Sequence, residues 1–234
     1  MNTKNISNLI KRYFIESGRK DINSFLLITL IIAFVSFFSV SGSLSNSMMV
    51  FLLLLMGIMY ASRIFGIFQP AGRAIHYLTI PASTTEKTIA NGLLVFVYYN
   101  VLLIVALLLG NTLGGLAHKL IDPAYIYHFH MPFDLDDLCS LLIIESVFMF
   151  GSIYFKNHAA IKTALVIFSV FLFLIILDVI ILGQYVHHFD QHSIQFANEY
   201  YSNFNFEWIE YGISALTFIF FNFMTWLRLR ETEA

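Results

Sequence analysis

Charge, cysteine and proline are all scarce in this chain of 234 residues. Only 12% of its residues are charged, about half of the roughly 25% that a water-soluble domain carries, so an ordinary soluble surface is excluded. The single cysteine, Cys139, excludes an intramolecular disulfide framework and any multi-cysteine metal site. A net charge of -2 argues against bulk nucleic-acid binding. The phosphate cradle of a nucleotide motor, Gly-x-x-x-x-Gly-Lys-Ser/Thr, does not occur, so ATP is not handled by this chain. Nor is there a repeat at a solenoid period. In place of these the sequence has apolar bulk: 58% hydrophobic residues, 25 phenylalanines and a mean hydropathy of +0.75. The solvent implied by that composition is the bilayer.

A spanning helix needs about 20 mostly apolar residues, because the hydrocarbon core is about 30 Å thick and a helix rises about 1.5 Å per residue. Six stretches qualify: Phe25 to Ser41, Met48 to Phe68, Ile89 to Gly110, Leu138 to Phe155, Ala164 to Gly183 and Tyr211 to Leu227. They are continuous instead of alternating, which fits helices and not a barrel. The expected fold is therefore an all-α polytopic bundle of six transmembrane helices, with no room for a sizeable soluble domain. A cleaved signal peptide is not expected, since the basic segment before the first run is too long for an ordinary n-region and further spans follow; Met1 to Ala234 is kept whole.

The basic residues orient the bundle. Cytoplasmic flanks of membrane helices accumulate Lys and Arg. All but Lys119 of the 13 basic residues fall in the N-terminal segment, the second-to-third and fourth-to-fifth connections, and the tail. The other side collects Asp122, Asp134, Asp136, Asp137, Asp190, Glu199, Glu207 and Glu210. Both termini are expected in the cytoplasm of a cell whose inner, cytoplasmic membrane holds the protein. The resulting division is a cytoplasmic segment over 1–24, a membrane domain over 25–227 and a cytoplasmic tail over 228–234. Within the membrane domain, 69–88 is a cytoplasmic connection, and 111–137 and 184–210 are external.

Ahead of the first span, Ile6, Leu9, Ile10, Tyr13 and Phe14 recur at helical spacing while Lys11 and Arg12 lie off that stripe. Such a segment is an amphipathic helix that would lie along the cytoplasmic interface before the chain turns into the membrane, either as a plain anchor or with a mechanical role. The connection after the second span is the most informative stretch. Pro70 and Gly72 stop the preceding helix, and Pro81 pushes Ile80 out of helical geometry, leaving Arg73 to Thr79 as a short element of its own. Ser83 and Glu86 then stand at the spacing of a capping box, so a new helix starts there and runs into the third span. An ordinary tight turn is the plain alternative.

The run from Arg73 to Lys87, RAIHYLTIPASTTEK, resembles the YLxLPASxxEK connection of ABC-2 type transporter permease subunits. Tyr77, Leu78, Pro81, Ala82, Ser83, Glu86 and Lys87 match, with Ile80 where Leu is more usual. Elsewhere the resemblance lies in topology. It implies a coupling helix that docks on a separate ATPase subunit, with Arg73, His76, Tyr77, Leu78, Pro81, Ser83, Glu86 and Lys87 as the coupling residues. It also implies a second permease chain, identical or related, and ATP with its Mg on the partner subunit, this chain having no cofactor of its own. The function implied is that of the transport half of an ATP-driven exporter, with no catalysis in this chain. An intramembrane enzyme and a non-transporting scaffold or sensor are the alternatives; for the former, neither His-Glu-x-x-His nor Gly-x-Ser-x-Gly occurs.

Two acids lie inside spans, Glu145 in the fourth and Asp178 in the fifth, where a charge costs about 2.5 to 3.5 kcal/mol even on a lenient scale. Counted from the outer ends they sit at similar depth, roughly 8 to 10 Å. They are candidates for a polar patch on the transport pathway or a protonatable pair, or else for neutral acids bonded to neighbours such as Ser146 or Ser169. Asn100, Asn222, Tyr98 and Tyr99 are read as packing residues. The external histidines His118, His128, His130, His187, His188 and His192, beside Asp134, Asp136, Asp137 and Asp190, offer zinc or copper ligands. Their spacing matches no closed metal motif, so no metal is assigned. Phe196, Tyr200, Tyr201, Phe204, Phe206, Trp208 and Tyr211, interspersed with Glu199, Glu207 and Glu210, suit the outer headgroup level. The resemblance implies short external helices there that gate the exit; an inert aromatic belt is the alternative.

Overall fold

A computed structural model describes residues 3–38, 42–65, 80–122, 134–155, 158–185 and 207–233. Every regular element among them is helical. In chain order they are α1 (Thr3–Phe38), α2 (Gly42–Arg63), α3 (Thr84–Gly92), a π-helical segment (Leu93–Tyr99), α4 (Asn100–Ile121), α5 (Leu135–Tyr154), α6 (Ala159–Tyr185) and α7 (Glu207–Glu233). α3, the π segment and α4 follow one another without a break, so Thr84–Ile121 is a single rod of 38 residues.

Among the described residues, five helices are long and apolar enough to cross a membrane: Thr3–Phe38, Thr84–Ile121, Asp136–Tyr154, Ala159–Ile180 and Ile209–Thr232. A shorter apolar stretch, Met48–Arg63, belongs to α2. This is the make-up of a multi-pass membrane protein. The expected boundaries shift at several ends, α6 for instance running from Ala159 to Tyr185 in place of Ala164 to Gly183. The third span continues past Gly110 to Ile121, shortening the connection expected over 111–137. The last helix starts at Glu207 and ends at Glu233, longer at both ends than Tyr211 to Leu227. The turn expected before Phe25 is absent, α1 being unbroken from Thr3 to Phe38.

The apolar stripe at the start of α1 explains the last difference. It is used by the protein: Ile6 is buried, and Ile10 and Tyr13 pack against the main hydrophobic core. Phe14 meets Tyr98 edge to face with ring centroids 4.8 Å apart. Once that face is covered by α3 and the π segment, nothing requires the helix to bend onto a lipid surface.

α1 packs along α4, α2 along α5, and α5 also touches α6 and α7. The α1–α4 contact is close because Gly110, Gly114 and Gly115 of α4 are buried. A Cβ at Gly110 would lie 2.7 Å from Ile32 Cβ and 2.8 Å from the Thr29 carbonyl oxygen. Small residues allow such backbone approach between helices that have no hydrophobic drive to associate in lipid. One polar bond fixes the register: Ser36 Oγ donates to Asn111 Oδ1 at 2.9 Å in a buried position. α6 differs from all the others. Almost none of it is buried, and it presents Leu165, Phe168, Phe171 and Val179 outward.

Candidate functional site

At the Pro81 end of the bundle, the capping box read from Ser83 and Glu86 is formed. The Glu86 amide donates to Ser83 Oγ at 3.2 Å, and the Ser83 amide donates to Glu86 Oε2 at 3.1 Å. The same Glu86 oxygen accepts from Asn5 Nδ2 of α1 at 3.0 Å. One residue earlier, Thr85 Oγ1 accepts from Trp226 Nε1 of α7 at 3.3 Å. The first turn of α3 is thereby fastened to both the first and the last helix of the protein.

This placement divides the proposed coupling residues. Pro81 and Ser83 are exposed, whereas Glu86 is 5% and Lys87 1% exposed. Glu86 and Lys87 thus lie inside the bundle, where Glu86 ties the connection to α1. Arg73, His76, Tyr77 and Leu78 lie outside the described residues.

Behind α3 the rod continues into a polar and aromatic cluster that the sequence reading missed. Tyr13 Oη donates to Asp21 Oδ2 at 2.9 Å, and Asp21 is 5% exposed. The Tyr13 hydroxyl is also in contact with the Tyr99 hydroxyl. Since Tyr13 gives its proton to the carboxylate, Tyr99 is the donor in that contact. Tyr99 stacks on Tyr60 of α2 with centroids 4.0 Å apart. A signal was present: the stripe through Ile6, Ile10 and Tyr13, continued at three- and four-residue steps, arrives at Asp21 and Ile28, both buried. Tyr13→Phe is expected to cost about 1–3 kcal/mol, because it leaves a buried carboxylate oxygen without its donor. Thermal unfolding in detergent would show it, with Tyr98→Phe as the comparison; equal stability of the two variants would mean that the Asp21 bond contributes nothing.

The two intramembrane acids are separated. Glu145 is fully buried on α5, while Asp178 is exposed on α6, and no hydrogen bond joins them. The neighbour expected for Glu145 is not its partner either: Ser146 Oγ donates to the Ile143 carbonyl of its own helix at 2.7 Å. Glu145 Oε2 accepts instead from Asn100 Nδ2 at 2.9 Å, and Asn100 also donates to the Phe96 carbonyl at 3.2 Å. Asn100 thereby joins its helix to α5 through a polar bond, a form of the packing role read for it. Asn222 bonds only its own helix, donating to the Phe218 carbonyl at 2.9 Å. Space for the carboxyl comes from Gly57 of α2, where a Cβ would stand 3.0 Å from Glu145 Oε1 and 2.7 Å from Leu141 Cδ1.

Beside this point, α5, α6 and α7 enclose a groove of about 800 Å³ lined by apolar side chains, among them Ile144, Phe148, Val166, Val170 and Phe221. At the start of α5, the acids read as possible metal ligands have other tasks. The Asp134 amide donates to Asp137 Oδ2 at 3.0 Å, and Asp136 Oδ1 accepts from Tyr211 of α7 at 2.6 Å. Negative charge in a first helical turn also suits the helix dipole. His118 Nδ1 lies 3.0 Å from the Phe37 carbonyl oxygen and serves the α1–α4 contact. His128, His130, His187, His188 and His192, and the aromatic residues from Phe196 to Phe206, lie outside the described residues.

Two centres result: a helix start tied to α1 and α7, and a buried acid–amide pair in the apolar interior. No protein-family model matches this chain, and no curated protein or solved structure matches it either.

Proposed function

We propose that this protein is the membrane-spanning permease subunit of an ATP-driven exporter of the ABC-2 type. It would work with a separate cytoplasmic ATPase that holds ATP and Mg, and with a second permease chain. The observation that carries the reading is the double fastening of α3: Glu86 ties it to Asn5 of α1, and Thr85 ties it to Trp226 of α7. A push delivered to the connection before Pro81 would reach three helices at once. A mechanical coupling element needs that property, and a loop that merely turns the chain does not.

In this reading α2 is the sixth span. Its 22 residues rise about 33 Å, enough for a hydrocarbon core of about 30 Å. The first turns of α1 form the amphipathic cytoplasmic segment, now seated on α3. Both termini lie in the cytoplasm on the evidence of the basic flanks. The outward apolar face of α6 suits lipid or the second permease chain, and the groove between α5 and α6 suits an apolar cargo. Transport follows if the ATP-bound partner binds one arrangement of the helices better than the other.

Accessibility tests the reading directly. With Cys139 replaced by Ser, a His76→Cys variant should resist a membrane-impermeant maleimide in intact cells and react once the membrane is opened. A cytoplasmic ATPase should also co-purify with the wild-type chain and be lost when residues 77–86 are replaced. Labelling from outside, or ATP hydrolysis by the purified chain alone, would refute the assignment.

A further inference from the structure

Glu145 and Asn100 together leave two oxygens without a partner. Glu145 Oε1 and Asn100 Oδ1 are both buried, and neither has a hydrogen bond, although the other half of each group is engaged in the bond between them. An amide can both give to and accept from a carboxylic acid: its N–H bonds one acid oxygen while its carbonyl accepts the acid's O–H. A single proton on Oε1 would complete that second bond and remove both orphans together. We propose that Glu145 and Asn100 form a proton-binding site in the interior of the bundle, with the proton held on Glu145 and shared with the Asn100 carbonyl.

Among the described residues, the surroundings of Glu145 supply no counter-charge. On α2, the titratable groups are Tyr60 and Arg63, on the turns following Gly57. On the π segment they are Tyr98 and Tyr99, of which Tyr99 is engaged with Tyr13 and Tyr60. On α6 they are Lys162, the exposed Asp178 and Tyr185. On α7, Glu207, Glu210 and Tyr211 belong to the end where Tyr211 meets Asp136. Arg228, Arg230, Glu231 and Glu233 belong to the opposite end, where Arg228 lies over Tyr154. Asp136 and Tyr154 are each nine residues from Glu145 along α5, roughly 13 Å away. On α5 itself Asp137 caps the first turn and Cys139 lies near it. Among the described residues, Asn100 alone bonds Glu145. A bare carboxylate here would face Gly57 and Leu141 with no cation beside it, an arrangement that buried charges avoid.

The backbone adds a reason to regard the site as built. Asn100 is the first residue after the π segment Leu93–Tyr99, and π turns inside α-helices concentrate at functional positions. A π-helix turns less per residue than an α-helix, so rewinding those residues as α would swing Asn100 away from α5. Proton occupancy and the winding of this rod are therefore linked: the bond between Glu145 and Asn100 favours the π form.

The infrared spectrum of the purified full-length protein in detergent at neutral pH tests the site. It should contain the C=O band of a protonated, hydrogen-bonded carboxyl that disappears in Glu145→Gln and persists in Asp178→Asn. Gln at 145 replaces the acid O–H by an amide N–H, so its thermal stability should equal that of the wild type at mildly acidic pH. As pH rises above the ordinary carboxyl range the wild type should fall behind Glu145→Gln, because the unfolded chain then releases a proton that the folded state still holds on Glu145, and the gap should stop widening once the folded state loses that proton too. Asn100→Leu gives a second readout, since the carboxyl that loses its acceptor should keep its band but move it to higher frequency. Absence of a Glu145-dependent band would overturn the proposal. So would wild-type stability that rises with Na⁺ or K⁺ and is lost in Glu145→Gln, which would make the pair a metal-cation site.

Discussion

Alanine at Gly110 and alanine at Gly18 are expected to move the stability of this protein in opposite directions. Both glycines are in helices, where alanine is intrinsically favoured by about 1 kcal/mol, so propensity alone predicts two stabilising changes. At Gly18 nothing lies within 4 Å of an added Cβ, and a gain of about 0.4–1 kcal/mol should appear in full. At Gly110 the new methyl would meet Ile32 Cβ at 2.7 Å and the Thr29 carbonyl oxygen at 2.8 Å. Backbone cannot yield as a flexible side chain can, so α1 and α4 must separate, at a cost of about 1–3 kcal/mol. Separation also stretches the buried bond from Ser36 to Asn111. With about 2–4 °C of melting temperature per kcal/mol for a chain of this size, Gly110→Ala should melt well below the wild type and Gly110→Val lower still. Gly18→Ala should melt slightly above it. If Gly110→Ala is as stable as Gly18→Ala, the close approach of α1 and α4 is not a feature of the folded protein.

Glu86→Ala is expected to uncouple the connection from the bundle without unfolding it. The carboxylate serves the Ser83 amide and the Asn5 side chain through one oxygen, so its removal opens the capping box and the tie to α1 together. Loss of a helix cap costs about 0.5–2 kcal/mol, which a helix continuous with a 38-residue rod can absorb. Function should suffer more than stability. If the proposed ATPase partner needs the connection held in its capped geometry, a penalty of about 1.4 kcal/mol would weaken association about tenfold. Glu86→Gln keeps an acceptor oxygen and should lose much less. In the exporter proposed above, Trp226→Phe, which severs only the weaker 3.3 Å bond to Thr85, should leave ATPase binding largely intact while reducing transport, because α7 no longer follows α3. Equal ATPase binding by the wild type and Glu86→Ala would mean that this anchor takes no part in coupling.

Features confined to one turn of chain were legible in advance. Ser83 and Glu86 are three residues apart, and their mutual bonding depends on backbone geometry that any helix start provides. Glu145 stood out equally well, since an acid in an apolar run is conspicuous whatever surrounds it. Its partner was not legible. Asn100 lies 45 residues away on another helix, and the residues next to Glu145 in the chain point along its own helix. Asp178 illustrates the same limit from the other side. Depth along a span can be counted from the sequence, but the direction a residue faces depends on which neighbours cover the helix, and α6 is hardly covered at all. Asp21 is polar and lies on the continuation of the apolar stripe of α1 beyond Phe14, where periodicity marks a buried position but names no partner for it. Its burial goes with a hydrogen bond from Tyr13, whose hydroxyl in turn meets that of Tyr99.

The order of apolar runs, prolines and caps determined by itself that this chain forms helices suited to a bilayer, because hydrogen bonding within a helix and the length needed to cross hydrocarbon are local quantities. Tertiary structure alone decided that α1 would run unbroken, that Glu86 would be shared between α3 and α1, and that Glu145 would bond the Asn100 amide beside Gly57 of α2. Those outcomes depend on which faces meet. In a chain whose surface is nearly all apolar, hydropathy distinguishes one face from another only weakly, and the few polar groups and glycines set the contacts through bonds and clearances that exist only once the helices are side by side.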